Sequence, residues 1–196
     1  MITLASQSAA RAAMLHAAGV DFTVVPAHVD EDSVIAALVA VGATAARVAD
    51  ALAELKALRV LSRVAGLVLG ADSVVVTHDG RFLVKPETRV SAEAQLRDLA
   101  GTTHRLVSAA VIAVDGVAVW RTADEARLTM RPLSDAFIAA YLDAADDGLF
   151  GCVGTYRIEE RGSQLFTRID GDQFTIRGLP LLAVLEYLRV RGELAT

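Results

Sequence analysis

Apolar and polar positions along the chain change their period several times. Residues 2–5 (ITLA) form a short apolar run that predicts a strand. Residues 9–18 carry a helical pattern closed by Gly19, a residue suited to the position just past a helix end. DFTVV, residues 21–25, predicts a second strand. From Glu31 to about Val64 the pattern is helical, and Val48, Ala51, Leu52, Leu55 and Leu58 follow the spacing of one buried face, with Lys56 at its flank. GLVLGADSVVV, residues 66–76, is nearly all apolar and rich in valine, the pattern of a strand covered on both faces. Ser91 as N-cap and Gly101 beyond the end bracket another helix. Runs 103–114 and 117–130 flank Asp115-Gly116, a dipeptide that turns a hairpin. A helix from about Ser134 to Ala145, a glycine-punctuated β region from 150 to 177, and a helix after Pro180 complete the series. Such alternation predicts an α/β fold with a mixed sheet. Nothing in the pattern reads as a linker, repeat or low-complexity tract, so residues 1–196 are read as one domain with room for two lobes.

Composition narrows the setting. Hydrophobic residues make up 54% of the chain and its mean hydropathy is +0.43. The uncharged stretch Val34–Ala46 is nevertheless too short for a bilayer, which needs about 20 apolar residues, and Gly42 and Thr44 interrupt it. No basic leader is evident, and Arg11 falls where the apolar core of a signal peptide would run. The single cysteine, Cys152, leaves no partner for an intramolecular disulfide and fits a reducing compartment. These features predict a cytoplasmic protein without a membrane partner. A net charge of −5 argues against binding a nucleic-acid polymer. Any phosphate chemistry must then rest on a few locally placed cations.

Several residues call for explanation. Asp72 puts a charge inside the most hydrophobic strand, where an unpaired carboxylate costs several kcal/mol. It must be paired, bound to a metal, or set at a bend opening on a cleft. Its small neighbours Gly70 and Ala71 suit the close approach of a ligand. Lys85 ends an apolar run and is fixed by Pro86. Glu31 belongs to an acidic cluster at a helix start, where carboxylates also suit the helix dipole. Ser6 and Ser8 either cap the first helix or, with its N–H groups and Arg11, cradle a phosphate. His104 reads as a structural histidine, and Glu159 and Glu160 precede a Gly-Ser turn. Glycine loops of the nucleotide-binding kinds, Cys/His metal spacing and a Ser-His-Asp order are all missing. The acids Glu31, Asp72 and Glu159 stand against the bases Arg11, Lys56 and Lys85, all read at element ends. That inventory suits hydrolysis of a polyphosphate with a divalent metal.

In order along the chain stand LASQSAARAAML, VDE, LAELKA, LGADSVV, VKP, LAGTTH, GCVGTYRIE and DGDQFTIRGLPL. This series resembles the Maf-like nucleoside triphosphate pyrophosphatases over essentially the whole chain. The resemblance implies a two-lobed mixed sheet with flanking helices and a central cleft, akin to inosine triphosphate pyrophosphatase, and a homodimer. It implies a house-cleaning hydrolase that cleaves a nucleoside triphosphate to the monophosphate and pyrophosphate with Mg²⁺ or Mn²⁺. Carried over by motif, Ser6, Ser8 and Arg11 hold phosphate, and Lys56 and Lys85 bind the phosphates, with Lys85 also in the catalytic set. Glu31 sits at the metal, Asp72 is the general base or a metal partner, and Glu159 stands where many members have glutamine.

Two departures from the usual family pattern stand out. Ala9 and Ala10 replace the proline and first arginine of the Ser-x-Ser-Pro-Arg-Arg opening, and Glu159 replaces the glutamine of the pyrimidine-specific branch. Both changes resemble the branch acting on 7-methyl-GTP, with dTTP and UTP as the next candidates. A carboxylate can accept from the N1–H and N2–H₂ edge of guanine, unless Glu159 serves the metal instead. The competing expectation is a catalytically silent nucleotide-binding regulator of cell division.

Overall fold

Seven strands form the sheet in the order β2-β1-β3-β5-β6-β7, with β4 paired to β3. The computed structural model describes residues 1–195; Thr196, the last residue of the expected domain, lies outside the described residues. The strands are β1 (Ile2–Leu4), β2 (Phe22–Val24), β3 (Val68–Val76), β4 (Phe82–Leu83), β5 (Thr103–Val114), β6 (Val117–Met130) and β7 (Phe166–Asp170). The helices are α1 (Ala9–Ala17), α2 (Glu31–Ala40), α3 (Ala45–Leu61), α4 (Arg89–Leu99), α5 (Asp135–Asp143), α6 (Gln173–Ile176) and α7 (Leu181–Val190). β1 runs parallel to β2 and β3, whereas β3–β4 and β6–β7 are antiparallel, so the sheet is mixed. The β5–β6 hairpin turns at Asp115 (φ 50°) and Gly116 (φ 84°), two positive φ values in succession, as a tight primed turn requires.

The chain divides into two compact units. The first comprises Met1–Ser73, Val107–Asp124 and the chain from Asp172 onward; the second comprises Val74–Leu106 and Glu125–Gly171. In the first unit, Met14 and Leu15 of α1 and Leu181, Val184 and Leu188 of α7 pack with Ile2, Leu4, Leu69 and Ile112 from the strands. A separate cluster joins Ala57 and Val60 of α3 to Ala5, Val68 and Ala113. In the second unit Leu96 and Leu99 of α4, Leu128 and Met130 of β6, Ile138 of α5 and Leu165 are all buried. No helix among the described residues is long and apolar enough to cross a membrane.

Four local expectations are corrected. The helical span from Glu31 to Val64 is two helices, because Gly42 takes a left-handed φ of 74° and Thr44 caps α3 afresh by accepting from the Arg47 amide. Thr88 rather than Ser91 is the N-cap of α4. Ser91 is the third helical residue, and its hydroxyl accepts from the Thr88 amide in a reciprocal capping box. Of the β region expected from 150 to 177, only Phe166–Asp170 is a strand; the rest is 3₁₀ turn, loop and the short α6. The buried stripe of α3 runs through Ala45, Val48, Ala49, Leu52, Ala53, Lys56, Ala57 and Val60, so Leu55 faces outward and Lys56 lies within the stripe.

That last rotation has a steric cause. A Cβ added to Gly70 would lie 2.1 Å from the Ala53 carbonyl oxygen and 2.8 Å from the Ala57 amide nitrogen. Gly70 therefore exists to let the α3 backbone press onto β3, and the helix turns its alanines to that contact. Ala71, on the opposite face of the strand, is part of the apolar core. Of the small pair expected to admit a ligand, Gly70 instead admits a helix and Ala71 fills the core.

Candidate active site

The glycine contact sets up the first unit's charged cluster. Residues two apart on a strand share a face, so Asp72 follows Gly70 toward α3, one helical position from Ala57. Lys56 reaches it there: Nζ lies 3.0 Å from Asp72 Oδ1 and 2.6 Å from Glu31 Oε1. Glu31 is the first residue of α2, whose cap is Asp30, accepting from the Ser33 amide. Asp72 and Lys56 are only 6% exposed. The aspartate that demanded a partner has one, and the pair sits at mid-strand and mid-helix rather than at element ends.

Arg11 closes the cluster from α1. Its Nη2 lies 3.8 Å from Asp72 Oδ1 and donates to the Ser73 hydroxyl at 3.1 Å. Nε donates to the Gly178 carbonyl at 2.7 Å and Nη1 to the Ser6 hydroxyl at 3.2 Å. Gly178 itself has a left-handed φ of 102°, and a Cβ there would meet Arg11 Nε at 3.2 Å. Burial lowers the Arg11 pKa from the usual arginine value, and the negative charges of Asp72 and Glu31 act against that pull.

The two serines divide the work between them. Ser8 is the N-cap of α1, accepting from the Arg11 amide at 3.3 Å. Ser6 accepts from the Ser8 amide at 3.1 Å as well as from Arg11, which uses both of its lone pairs. Capping is therefore real, but it takes only the amide of the third helical residue. The amides of Ala9 and Ala10 belong to the first turn, where no intrahelical acceptor exists, and the side chains there are methyl groups.

Sequence reasoning missed the support behind Arg11. Ser73 Oγ is 2.8 Å from Ser108 Oγ, and the Ser108 hydroxyl donates to the Thr175 carbonyl at 2.7 Å. The Thr175 hydroxyl in turn donates to Asp124 at 2.8 Å. Ser108 and Thr175 are fully buried. The signal available in the sequence was a serine within the apolar run of β5, a polar group that needs partners.

Lys85 and Glu159 belong to the second unit, and both are exposed. Lys85 lies just past β4 and before the buried Pro86. Glu159 follows GTYRI, where Gly154 (φ 82°) and Thr155 (φ 61°) are both left-handed. His104 in this unit is fully buried, with Nε2 2.9 Å from the Tyr156 hydroxyl and its ring against Tyr156 and Phe166. Burial pushes its pKa down to about 4 and pushes that of Tyr156 up. It is a packed, neutral histidine. Nearby, Arg157 is held by Asp146 and Glu160, beside a cavity of about 130 Å³ that Tyr141 and Leu149 also line.

For a divalent metal, the first unit offers the carboxylates of Glu31 and Asp72, brought together by one shared ammonium. Among the described residues no three His, Cys, Asp or Glu side chains gather into a cage. Two hard oxygen donors suit Mg²⁺ or Mn²⁺ held partly by substrate phosphate and water, as Mg²⁺ commonly is.

Comparison with known proteins agrees with the motif order. A profile of the family described as Maf-like protein matches residues 1–191. A protein of Sphingopyxis alaskensis named nucleoside triphosphate pyrophosphatase is 52% identical over 192 residues, covering 97% of each chain. Proteins of the same name from Paramagnetospirillum magneticum and Caulobacter vibrioides are 50% and 46% identical, again over at least 96% of both chains. With a profile spanning nearly every residue and relatives matched end to end, the chain belongs to the Maf-like protein family.

Proposed function

We propose that the protein is a nucleoside triphosphate pyrophosphatase, a hydrolase of the anhydride bond that releases pyrophosphate and leaves the nucleoside monophosphate. The observation that carries this reading is the convergence of Glu31, Lys56, Asp72 and Arg11 in one largely buried network. Buried charge of both signs is costly to fold, and it is what in-line attack on a phosphate requires. The names borne by the full-length relatives support the same reading.

In this reading the first-turn amides of α1 at Ala9 and Ala10 receive phosphate oxygens, with the positive end of the helix dipole behind them. Ser8 fixes that turn by capping it. Asp72 accepts the proton of the attacking water. Arg11, tethered through Ser6, Ser73 and Gly178, cannot swing toward solvent and holds its charge beside Asp72. Lys56 keeps Asp72 and Glu31 together and offers positive charge to the phosphates, as does Lys85. Glu31 and Asp72 would hold Mg²⁺ or Mn²⁺, which supplies charge neutralisation for the departing pyrophosphate.

For substrate, the proposal is 7-methyl-GTP ahead of dTTP and UTP. A carboxylate at Glu159 accepts from the guanine N1–H and N2–H₂ edge, while an amide would also donate. The working form is proposed to be a homodimer. A panel of 7-methyl-GTP, GTP, dTTP and UTP, each with Mg²⁺ and with Mn²⁺ and scored by pyrophosphate release, tests the proposal. Higher kcat/KM on UTP or dTTP than on 7-methyl-GTP rejects the substrate. Tight nucleotide binding with no pyrophosphate from any of them rejects the enzyme and leaves the regulator.

A further inference from the structure

We infer that Gln95 is a positioning residue that ties the Lys85 segment to the Glu159 loop and so couples phosphate binding to base recognition. The inference rests on the proposed roles of Lys85 and Glu159. Its own support is the set of hydrogen bonds around one amide on α4. Gln95 Nε2 donates to the Val84 carbonyl at 2.6 Å, and Oε1 accepts from the Gly154 amide and from the Thr155 hydroxyl, each at 3.2 Å. The polarity is unambiguous, since a carbonyl can only accept and a backbone N–H can only donate.

Both partners are stretches that need bracing. The Val84 carbonyl belongs to the peptide leading into Lys85, and Pro86 restricts Lys85 from the other side. Gly154 and Thr155 form two consecutive left-handed residues, a conformation costly for threonine. A Cβ at Gly154 would lie 2.7 Å from Tyr156 Cε1, so only glycine fits there. The Tyr141 hydroxyl donates to the Thr155 carbonyl at 3.2 Å and holds the same kink from α5. Helix α4 thus fixes, with one side chain, where the chain leaves β4 toward Lys85 and where it turns toward Glu159.

Two variants separate the halves of this tie. Gln95→Glu keeps both accepted bonds and loses the donor to Val84; Gln95→Met loses all three at similar length. Gln95→Glu is expected to raise KM about tenfold for 7-methyl-GTP and UTP alike, with kcat within about twofold. Gln95→Met is expected to do the same and also to cut the ratio of kcat/KM between the two substrates about tenfold. Unchanged KM and ratio in folded Gln95→Met overturns the inference. So does an equal loss on both substrates in both variants that follows only the fraction unfolded. If the unaltered protein cleaves none of the four nucleotides of the panel, the pyrophosphatase reading falls separately. Calorimetric binding of 7-methyl-GTP and UTP to the three proteins then decides the inference, with the same pattern required in Kd and no binding overturning it.

Discussion

The two units bury polar groups in opposite electrical states. In the first, Arg11, Lys56 and Asp72 are all charged side chains no more than 9% exposed, joined at 3.0 and 3.8 Å. In the second, the buried polar side chains include Thr77, His104, Tyr141, Thr155 and Tyr156, and His104 and Tyr156 are held neutral by burial. Among its charged groups, Arg157 with Asp146 and Glu160 keeps the two acids 66% and 53% exposed. Taking several ions out of water rarely gains stability over an apolar core of the same size, whereas neutral buried groups cost less, even with His104 Nδ1 lacking a hydrogen-bond partner among the described residues. The contrast supports the proposed chemical role of the first unit's cluster, whereas the second unit's network holds the loop around Thr155.

The largest test of that contrast is Asp72→Asn. The substitution keeps the shape and removes the acceptor charge, so kcat/KM for triphosphate hydrolysis is expected to fall about a thousandfold while circular dichroism stays that of the folded protein. Full activity in the folded variant would return the cluster to a structural role. Gly70→Ala comes next. Its methyl group meets backbone atoms of Ala53 and Ala57 that cannot step aside. A loss of about 3 kcal/mol in urea unfolding is expected, together with reduced activity as α3 carries Lys56 away from Asp72. Stability within error of the parent would mean that the helix does not need this contact.

These two residues also mark what the sequence disclosed. Asp72 was legible because a carboxylate within a valine-rich strand has few physical explanations, and pairing was among them. Gly70 was visible but misread: a missing side chain looks the same whether a ligand or a helix fills the space, and only the position of Ala53 decides between them. The β5–β6 hairpin was readable to the residue because Asp-Gly has a narrow conformational meaning. The turns between 147 and 165 were not, since their glycines and threonines are set by partners distant in sequence, such as Gln95 and Tyr141. Lys56 shows the same limit. Helical periodicity marks a stripe, but the rotation of that stripe depends on which face meets the sheet.

His104 sharpens the contrast from the second unit's side. Its folded pKa of about 4 lies below the ordinary 6.5 because burial disfavours the charged ring. As pH falls through about 6.5 the unfolded chain takes up the proton first, and the folded protein does so only near 4. The stability His104 contributes is therefore complete above about 6.5 and is lost on acidification toward 4. Between pH 7 and pH 5 the loss is expected to be about 2 kcal/mol, measured as the difference between the parent and His104→Gln in urea unfolding. The difference isolates this group from carboxylates that titrate nearby. Parallel pH profiles for the two proteins would show that the ring is not held neutral.

The smallest effect is expected at Asp146. Its carboxylate meets Arg157 twice, at 2.8 and 3.0 Å, and the hydrogen bonds to that guanidinium lower its pKa. Yet the group stands largely in water, where a close ion pair gains little over two hydrated ions. Arg157 also retains Glu160 when Asp146 is replaced. Asp146→Asn should therefore move the Tm by no more than about 2 °C, and less in high salt. A drop several times larger would mean that Arg157 behaves as a buried ion deprived of its partner. The second unit would then carry structural charge after all, and burial of charge alone would no longer support the proposed catalytic role of the first unit's cluster.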